Sequence, residues 1–198
     1  YRTRLTHSIE VAQIGRSICA FLNSSSEPLN SDFHIDSDLV EACCLSHDLG
    51  HPPFGHGGER TLHRLFSSIG GFEGNAQTLR LITDTLYQSG GRRSGMSPTR
   101  AFLDGVLKYK ATCSEKGSPK NHFIYDFQKA YRDFAHDGAS EPQSNEALNR
   151  LTSLECQIMD WADDTAYCLN DIVDGVRAGF LTIERLERWA AREGLDAI

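Results

Sequence analysis

Apolar residues recur along this chain at intervals of three and four positions, which is the period of an amphipathic α-helix. Between residues 6 and 22 they fall at Val11, Ile14, Ile18 and Leu22, and similar steps continue from 147 to 177. The strict alternation that marks a half-buried β-strand is almost absent. The sequence therefore predicts an all-α protein. We expect helices over residues 6–22, 37–48, 73–87, 102–109, 127–134 and 147–177.

Segments rich in glycine, proline and serine separate these helical patterns. They predict flexible loops near residues 88–98, 113–121 and 136–146, because such residues favour turns over helix. A length of 198 residues suits one domain of ordinary size, so we predict a single domain over residues 1–198. The chain begins with Tyr1 and not with methionine, and we expect it to be part of a longer protein.

Composition and charge exclude several classes of function. A formal net charge of −7 disfavours broad, nonspecific binding to nucleic acid, which requires a basic face. No apolar run approaches the roughly 20 residues that span a bilayer, so we expect no membrane partner. The six cysteines show no C-x-x-C spacing, and several occupy apolar helix positions. This pattern favours reduced thiols and a cytoplasmic protein over a disulfide-linked one.

The segment "SHDLGHPPFGHGGE", residues 46–59, concentrates three histidines, an aspartate and a glutamate in one short stretch. His47 continues the apolar stripe of the helix predicted to begin near residue 37, and Asp48 follows at its end. His7, four residues before Val11, falls on the buried face of the first predicted helix. Buried imidazole and carboxylate groups are costly unless they are paired or bind a metal ion. These positions therefore predict metal ligands from two separate helices.

The last predicted helix supplies further carboxylates. Asp163, Tyr167 and Asp171 repeat at intervals of four residues and therefore share one face. Asp160 and Asp164 are acidic neighbours that could take the place of Asp163. A mixed set of nitrogen and oxygen ligands without thiolate suits Mn, Fe, Ni or Mg better than a structural zinc site. We predict a divalent metal ion, with its identity open among Mn, Mg, Fe, Ni and Zn.

Each of these residues also has a purely structural interpretation. A single histidine such as His7 is more often a hydrogen-bonded core residue than a ligand, and His47 with Asp48 can be no more than a helix end. Glu73 and Asn75 are equally consistent with helix capping and with support of a site. The remaining histidines match no motif, and we expect them at the surface: His34, His63, His122 and His136.

The order H…HD…D formed by His7, His47-Asp48 and Asp163 resembles the signature of the HD-domain phosphohydrolases. Longer strings are similar to the deoxyguanosine triphosphate triphosphohydrolase family and its deoxynucleotide triphosphohydrolase relatives. They are "RLTHSIEVAQIGR", "HDLGHPPFGHGGE", "FEGNAQTLR" and "DWADDTAYCLNDIVDG", with a weaker match at "TRAFLDGVLKY". This resemblance implies an HD-domain helical bundle around a metal site. It also implies metal-dependent hydrolysis of deoxynucleoside triphosphates, dGTP among them, to deoxynucleoside and inorganic triphosphate.

The resemblance assigns roles to particular residues. The implied metal ligands are His7, His47, Asp48 and Asp163. His56 would be the catalytic histidine that handles a proton at the α-phosphate, and Glu59 would orient it or the attacking water. The implied substrate contacts are Arg4 and Lys108 at phosphate, Tyr167 at the sugar ring, Asp171 near the 3′-hydroxyl, and His51.

Two other classes of function remain open at this stage. One is a different HD-domain phosphohydrolase, such as a nucleotide phosphatase or a phosphodiesterase, against which the matches at Tyr167 and "HPPFGH" argue. The other is a non-catalytic protein that binds nucleotide in an HD site, but no expected site residue is missing. The resemblance further implies a homo-oligomer, with nucleic acid as an effector at most.

Overall fold

The computed structural model describes residues 3–115, 122–137 and 144–194. Within these residues the chain forms nine α-helices and a single two-stranded hairpin, which confirms the predicted all-α class. The helices are α1 (Arg4–Ser25), α2 (Ser37–Ser46), α3 (Gly55–Leu65), α4 (Gly74–Arg80), α5 (Arg100–Val106), α6 (Lys129–Ala135), α7 (Asn145–Arg150), α8 (Leu154–Arg177) and α9 (Ile183–Glu193). Short 3₁₀ turns cover Ser67–Ile69 and Asp126–Gln128, and the hairpin pairs β1 (Tyr87–Ser89) with β2 (Arg92–Ser94).

Polar side chains define where the first two helices begin. The hydroxyl of Thr3 accepts a hydrogen bond from the backbone N–H of Thr6 at 3.2 Å. The carboxylate of Asp36 accepts from two backbone N–H groups in the first turn of α2. Such caps satisfy N–H groups that have no partner inside the helix. They leave His7 in the first turn of α1 and His47 directly after the last residue of α2.

The main core lies between α1, α2 and α8, with α5 at its edge. Val11, Val40 and Ala162 contribute fully buried side chains from these three helices. Helix α1 approaches α2 closely at Gly15, where an added Cβ would lie 2.8 Å from Sγ of Cys44. Because interiors of this kind are close-packed, the core holds the three helices in one relative position.

All six cysteines have free thiols, and Cys19, Cys43, Cys44 and Cys156 are buried in this core. Burial raises the pKa of Cys44 to about 12 and that of Cys156 to about 11, because a thiolate would lose its hydration there. These thiols are therefore protonated at neutral pH and pack as small apolar side chains.

The helix predicted over residues 147–177 is in fact two helices, α7 and α8. Helix α7 ends at Arg150, and α8 begins after Ser153, whose hydroxyl accepts a hydrogen bond from the N–H of Cys156 at 3.2 Å. The apolar spacing continues across this break, but a serine cap stabilises a new helix start more than it does the middle of a helix. The prediction of one continuous helix was wrong at this point.

Two other segments differ from the predicted pattern. The helix expected over 73–87 is α-helical only through α4 and continues as a π-helical turn to Thr85. The loop expected near 88–98 contains the β1–β2 hairpin. Gly90 and Gly91 close this hairpin, and both have positive φ, which a two-residue hairpin turn commonly requires. The Gly-Gly pair was therefore a hairpin signal inside a segment that we interpreted as loop.

The other two predicted loops extend beyond the described residues. In the segment 113–121, residues 113–115 form turns and residues 116–121 lie outside the described part of the chain. In the segment 136–146, residues 138–143 lie outside it. Among the residues that are described, no helix combines the length and the apolar character that crossing a membrane requires.

The turn that follows α2 packs directly against the backbone of α4. A Cβ on Gly50 would lie 2.2 Å from the backbone nitrogen of Thr78 and 2.4 Å from the carbonyl oxygen of Gly74. The Thr78 hydroxyl donates to the carbonyl of His47 at 3.2 Å and accepts from the N–H of Gly50 at 2.9 Å. Helix α4 is thereby attached to the end of α2 that carries His47.

We expect Gly50→Ala to lower the free energy of unfolding by about 1–3 kcal/mol, the scale of an overpacked interior. The reason is that the new methyl group would overlap backbone atoms, which cannot move aside unless α4 shifts. Urea denaturation followed by circular dichroism measures this loss. Gly57→Ala is the matched control, because a Cβ there meets nothing within 4 Å, and it should be neutral or slightly stabilising. Equal stability of Gly50→Ala and the wild type would contradict the close approach.

Candidate metal centre and active site

Three of the four predicted metal ligands converge at one point in the described part of the chain. His7, His47 and Asp163 each offer one ligand atom, and these atoms all lie within 4.8 Å of one another. Oδ1 of Asp163 is 2.9 Å from Nε2 of His7 and 3.6 Å from Nε2 of His47. The ligands come from the first turn of α1, the end of α2 and the middle of α8. This donor set can hold a divalent metal ion.

The backbone of α2 orients the imidazole of His47. Its Nδ1 donates a hydrogen bond to the carbonyl oxygen of Cys44 at 2.6 Å. A carbonyl can only accept, so the proton of a neutral His47 ring resides on Nδ1 and leaves the lone pair of Nε2 toward Asp163. A backbone partner of this kind commonly fixes the tautomer of a metal-binding histidine. In this protein the partner is the backbone carbonyl of Cys44, so no additional side chain is needed to fix the tautomer of His47.

The electrostatics of the cluster favour a cation. Burial alone would lower the pKa of His47, but hydrogen bonds to Asp163 and Cys44 and the negative charges of Asp163 and Asp48 outweigh it and raise the pKa. Burial alone would raise the pKa of Asp163, but its hydrogen bonds and charge interactions with His47 and His7 lower it. Asp163 is therefore ionised at neutral pH, and a metal ion would compete with a proton for the imidazole of His47.

The fourth predicted ligand, Asp48, is not part of this three-residue cluster. Its Oδ1 accepts a hydrogen bond from Nδ1 of His51 at 2.7 Å. Asp48 nevertheless lines the same cavity as the cluster. The alternatives to Asp163 also lie outside the cluster: Asp160 forms an ion pair with Nζ of Lys108, and Asp164 lines the cavity wall. The role of Asp48 as a ligand stays a prediction.

A cavity of about 930 Å³ opens beside the cluster, a volume typical of small-molecule sites. Every residue that the sequence singled out for the site contributes to its wall. They are Arg4, His7, His47, Asp48, His51, His56, Glu59, Lys108, Asp163, Tyr167 and Asp171. These residues come from sequence positions up to 167 residues apart (171 − 4) and lie on α1, α3, α8 and the connecting segments. The fold therefore gathers the predicted residues around one space.

His56 and Glu59 lie on the first turns of α3. The predicted helices left residues 49–72 without a helix, but α3 begins in this interval at Gly55. Nδ1 of His56 donates to Oε2 of Glu59 at 3.4 Å, and Oε1 of Glu59 accepts from the N–H of Gly74 at 3.0 Å. The His56 side chain is 86% exposed. Glu59 therefore contacts an imidazole that is open to the cavity and is itself held by α4.

The two predicted phosphate contacts already have partners in the protein. The guanidinium of Arg4 donates to the carbonyl oxygens of His51 at 2.8 Å and Pro52 at 2.9 Å. Lys108 is paired with Asp160, and this contact outweighs burial to raise the pKa of the Lys108 ammonium. Both side chains are thus charged and held at the cavity wall by their protein partners.

Sequence reasoning missed two aromatic residues of the wall. His122 was expected at the surface, but its ring stacks on that of Tyr109 with 4.1 Å between the centroids and 8° between the planes. Both rings line the cavity. Burial raises the pKa of Tyr109 to about 12, so its hydroxyl is protonated. The "LKY" string placed Tyr109 beside Lys108, but nothing in the sequence places His122 near either of them.

The structure agrees with some of the other expectations for polar residues and differs from the rest. His34 is exposed as expected, whereas His63 and His136 are half-buried. Glu73 caps α4, because its Oε2 accepts from the N–H of Ala76 at 2.6 Å. Burial raises the pKa of Glu73 to about 8, although the amide of Asn75 donates to its Oε1 at 2.8 Å. Glu73 and Asn75 therefore combine helix capping with a place on the cavity wall.

Residues 4–89, which carry His7, His47, Asp48, His56 and Glu59, match the family model of the HD domain. The helical fold and the His-His-Asp cluster agree with that match. Residues 4–89 are therefore similar to the HD domain, and this match covers less than half of the chain.

The sequence is also similar to several proteins named deoxyguanosinetriphosphate triphosphohydrolase-like. It is 43% identical to the one from Bifidobacterium longum, over 90% of this chain and 35% of that protein. For the proteins from Streptomyces coelicolor and Vibrio vulnificus, the identities are 42% and 36%, over 91% and 99% of this chain and 39% and 51% of the relatives. The resemblance inferred from the motifs is confirmed. The chain spans about a third to a half of the length of these relatives.

We expect Asp163→Ala to weaken binding of Mn²⁺ by about a hundredfold or more, because loss of even a residue that supports a ligand costs 10–100-fold. Isothermal titration of the metal-free protein with Mn²⁺ measures the affinity. Asp164→Ala, one residue further along α8, is the matched control and should bind as the wild type does. If Asp164→Ala loses the ion while Asp163→Ala keeps it, the assignment of the ligand on α8 is wrong.

Proposed function

We propose that this chain contains the active site of a metal-dependent deoxynucleoside triphosphate triphosphohydrolase, with dGTP among its substrates. The products would be the deoxynucleoside and inorganic triphosphate. The observation that carries the proposal is that the His-His-Asp cluster and the His56–Glu59 pair line one cavity of about 930 Å³. Similarity to triphosphohydrolase-like proteins over 90% or more of this chain supports the same substrate class.

The metal ion would be held by His7, His47 and Asp163, with Asp48 as the fourth protein ligand. When bound, such an ion polarises phosphate oxygens and lowers the pKa of a bound water. Three helices fix the ligands from separate directions, so the site would be preorganised before substrate arrives. Nitrogen and oxygen donors fit this role, since they suit Mn, Fe, Ni or Mg as well as a catalytic Zn.

His56 is the residue that we assign to proton transfer. In the proposed reaction, water attacks the α-phosphorus, the bond from that phosphorus to the 5′-oxygen breaks, and the departing 5′-oxygen takes up a proton. An imidazole suits this step because its usual pKa lies close to neutral pH. Glu59 accepts a hydrogen bond from Nδ1–H of His56. This bond directs Nε2 away from Glu59 and stabilises the ring when it is protonated.

The remaining polar residues of the wall would bind the substrate. Arg4 and Lys108 supply positive charge for the phosphates. Tyr167 lies one helical turn after Asp163 on α8, and its exposed ring would pack on the deoxyribose. Asp171 lies a further turn along and would accept a hydrogen bond from the 3′-hydroxyl. His51, held by Asp48, completes the proposed contacts.

Three statements about the whole protein stay predictions from the sequence. They are a cytoplasmic location, assembly into a homo-oligomer, and a role for nucleic acid only as an effector. Two alternative functions also remain: another HD-domain phosphohydrolase, and a non-catalytic protein that binds nucleotide.

A product assay with the full-length protein tests the proposed reaction. The protein is incubated with each of the four deoxynucleoside triphosphates and Mn²⁺, and the products are separated by ion-exchange chromatography. We expect equal amounts of deoxynucleoside and triphosphate from at least one substrate. Pyrophosphate with a monophosphate, or phosphate with a diphosphate, would identify a different phosphohydrolase. Binding of nucleotide without any product would support the non-catalytic alternative.

Histidine variants test the division of roles within the site. We expect His56→Ala to retain metal binding and to reduce triphosphate release by about a hundredfold or more, the usual scale for loss of a general acid or base. His47→Ala should instead lose the metal ion. His34→Ala, which alters an exposed histidine, is the control and should behave as the wild type. Near-normal turnover of His56→Ala with all four substrates would show that His56 is not the proton-transfer residue.

A further inference from the structure

The stacked rings of Tyr109 and His122 form one side of the cavity, but they belong to different segments of the chain. Tyr109 lies between α5 and the turn at 112–115, and His122 begins the next described segment. The rings are parallel within 8° and lie at the contact distance of stacked aromatic groups. Rings that lie so nearly parallel require the two segments to keep a fixed position relative to each other near Tyr109 and His122.

Asn149 on α7 joins these two segments through a single side chain. Its Oδ1 accepts hydrogen bonds from the backbone N–H groups of Lys110 and Ala111, each at 2.7 Å. Its Nδ2 donates to the carbonyl oxygen of His122 at 3.3 Å. The orientation of the amide is determined by chemistry, because two N–H donors require an oxygen and a carbonyl acceptor requires the NH₂ group. The side chain therefore fits its place in one orientation only.

Contacts of the neighbouring residue Lys110 also fix the segment that carries Tyr109. Lys110 is fully buried, and its Nζ bonds to the carbonyl of Leu151, just after α7. The carbonyl of Lys110 accepts from the guanidinium of Arg132 on α6 at 3.1 Å. A β-bridge between Thr112 and Ile124 joins the two segments further along. Asn149 joins them at the end where the rings lie, so the position of the rings depends most directly on Asn149.

We infer that Asn149 is a positioning residue for substrate binding. It does not itself line the cavity but holds Tyr109 and His122 together as one wall and keeps Lys108, one residue before Tyr109, beside Asp160. This role rests on the proposed function, since the wall matters only if the cavity binds the nucleotide. The metal cluster and His56 lie on other elements, so Asn149 acts on binding and not on the chemical step.

Variants of the full-length protein separate this role from general stability. Asn149→Ala removes all three hydrogen bonds. Asn149→Asp keeps an oxygen for the N–H groups of Lys110 and Ala111 but opposes a carboxylate oxygen to the carbonyl of His122. Arg150→Ala changes the neighbouring exposed residue on α7 and is the matched control. For Asn149→Ala we expect KM for the deoxynucleotide substrate to rise about tenfold, with little change in kcat. Tenfold is the scale of the net contribution of one of its three part-buried hydrogen bonds.

A spectroscopic measurement tests the wall independently of activity. In protein labelled with ¹³C at histidine Cε1, the ring current of Tyr109 should shift the His122 signal upfield, and His122→Ala assigns that signal. We expect the signal to move toward the position of an exposed histidine in Asn149→Ala and Asn149→Asp, but not in Arg150→Ala. If the enzyme has no triphosphohydrolase activity, the proposed function fails, while the His122 signal still reports whether Asn149 holds the wall.

Two results would overturn the inference. One is an unchanged His122 signal in both Asn149 variants, which would mean that the rings stack without Asn149. The other is a fall in kcat with KM unchanged, which would mean that Asn149 acts on the chemical step. If Asn149→Ala does not fold, the same two measurements on Asn149→Asp decide the outcome, because that variant retains the two bonds to the Tyr109 segment.

Discussion

The carboxylate of Asp163 lies between two imidazoles, and this contact links the three helices on which the site depends. One oxygen is 2.9 Å from Nε2 of His7 and 3.6 Å from Nε2 of His47. Helices α1, α2 and α8 pack through a buried apolar core beside this contact, so the three side chains cannot separate unless the core opens. Half-buried polar groups are costly unless they are paired. A divalent cation would bind all three side chains at once, and the apolar packing of the helices already holds these side chains close together.

A chain with a formal net charge of −7 must concentrate positive charge locally if it is to bind a triphosphate. Arg4 and Lys108 are held at the cavity wall by partners of different kinds. Lys108 faces the carboxylate of Asp160, so a phosphate group has to compete with a negative charge for it. Within the described part of the chain, Arg4 donates to two carbonyl oxygens. A guanidinium has five N–H donors, so Arg4 can keep both bonds and still contact phosphate. A phosphate group therefore has to compete with a carboxylate for Lys108, but it can contact Arg4 without displacing either carbonyl oxygen.

The sequence predicts those parts of the structure that follow the helical period. His7, His47 and Asp163 lie on or beside apolar stripes, and the packing of those stripes brings them together. The prediction was wrong where a local signal competes with the helical period. The cap at Ser153 divides a helix whose apolar spacing is continuous, and α3 begins among the glycines and prolines that follow α2. His122 lies outside any helical pattern, so its place on the cavity wall depends on long-range packing that spacing does not encode.

Asp48 shows why a motif predicts an environment better than it predicts a bond. The motif places Asp48 beside His47, but the direction of its carboxylate depends on the loop that follows. There, Asp48 accepts from His51, and the carbonyl of His51 accepts from Arg4. These bonds connect a candidate metal ligand to a candidate phosphate contact through one residue. A carboxylate has two oxygens, so Asp48 can hold His51 with one and bind a cation with the other. His47 therefore bonds to the backbone of α2, whereas its neighbour Asp48 bonds to the loop that follows. The same short segment thus positions residues of both the candidate metal centre and the proposed phosphate site.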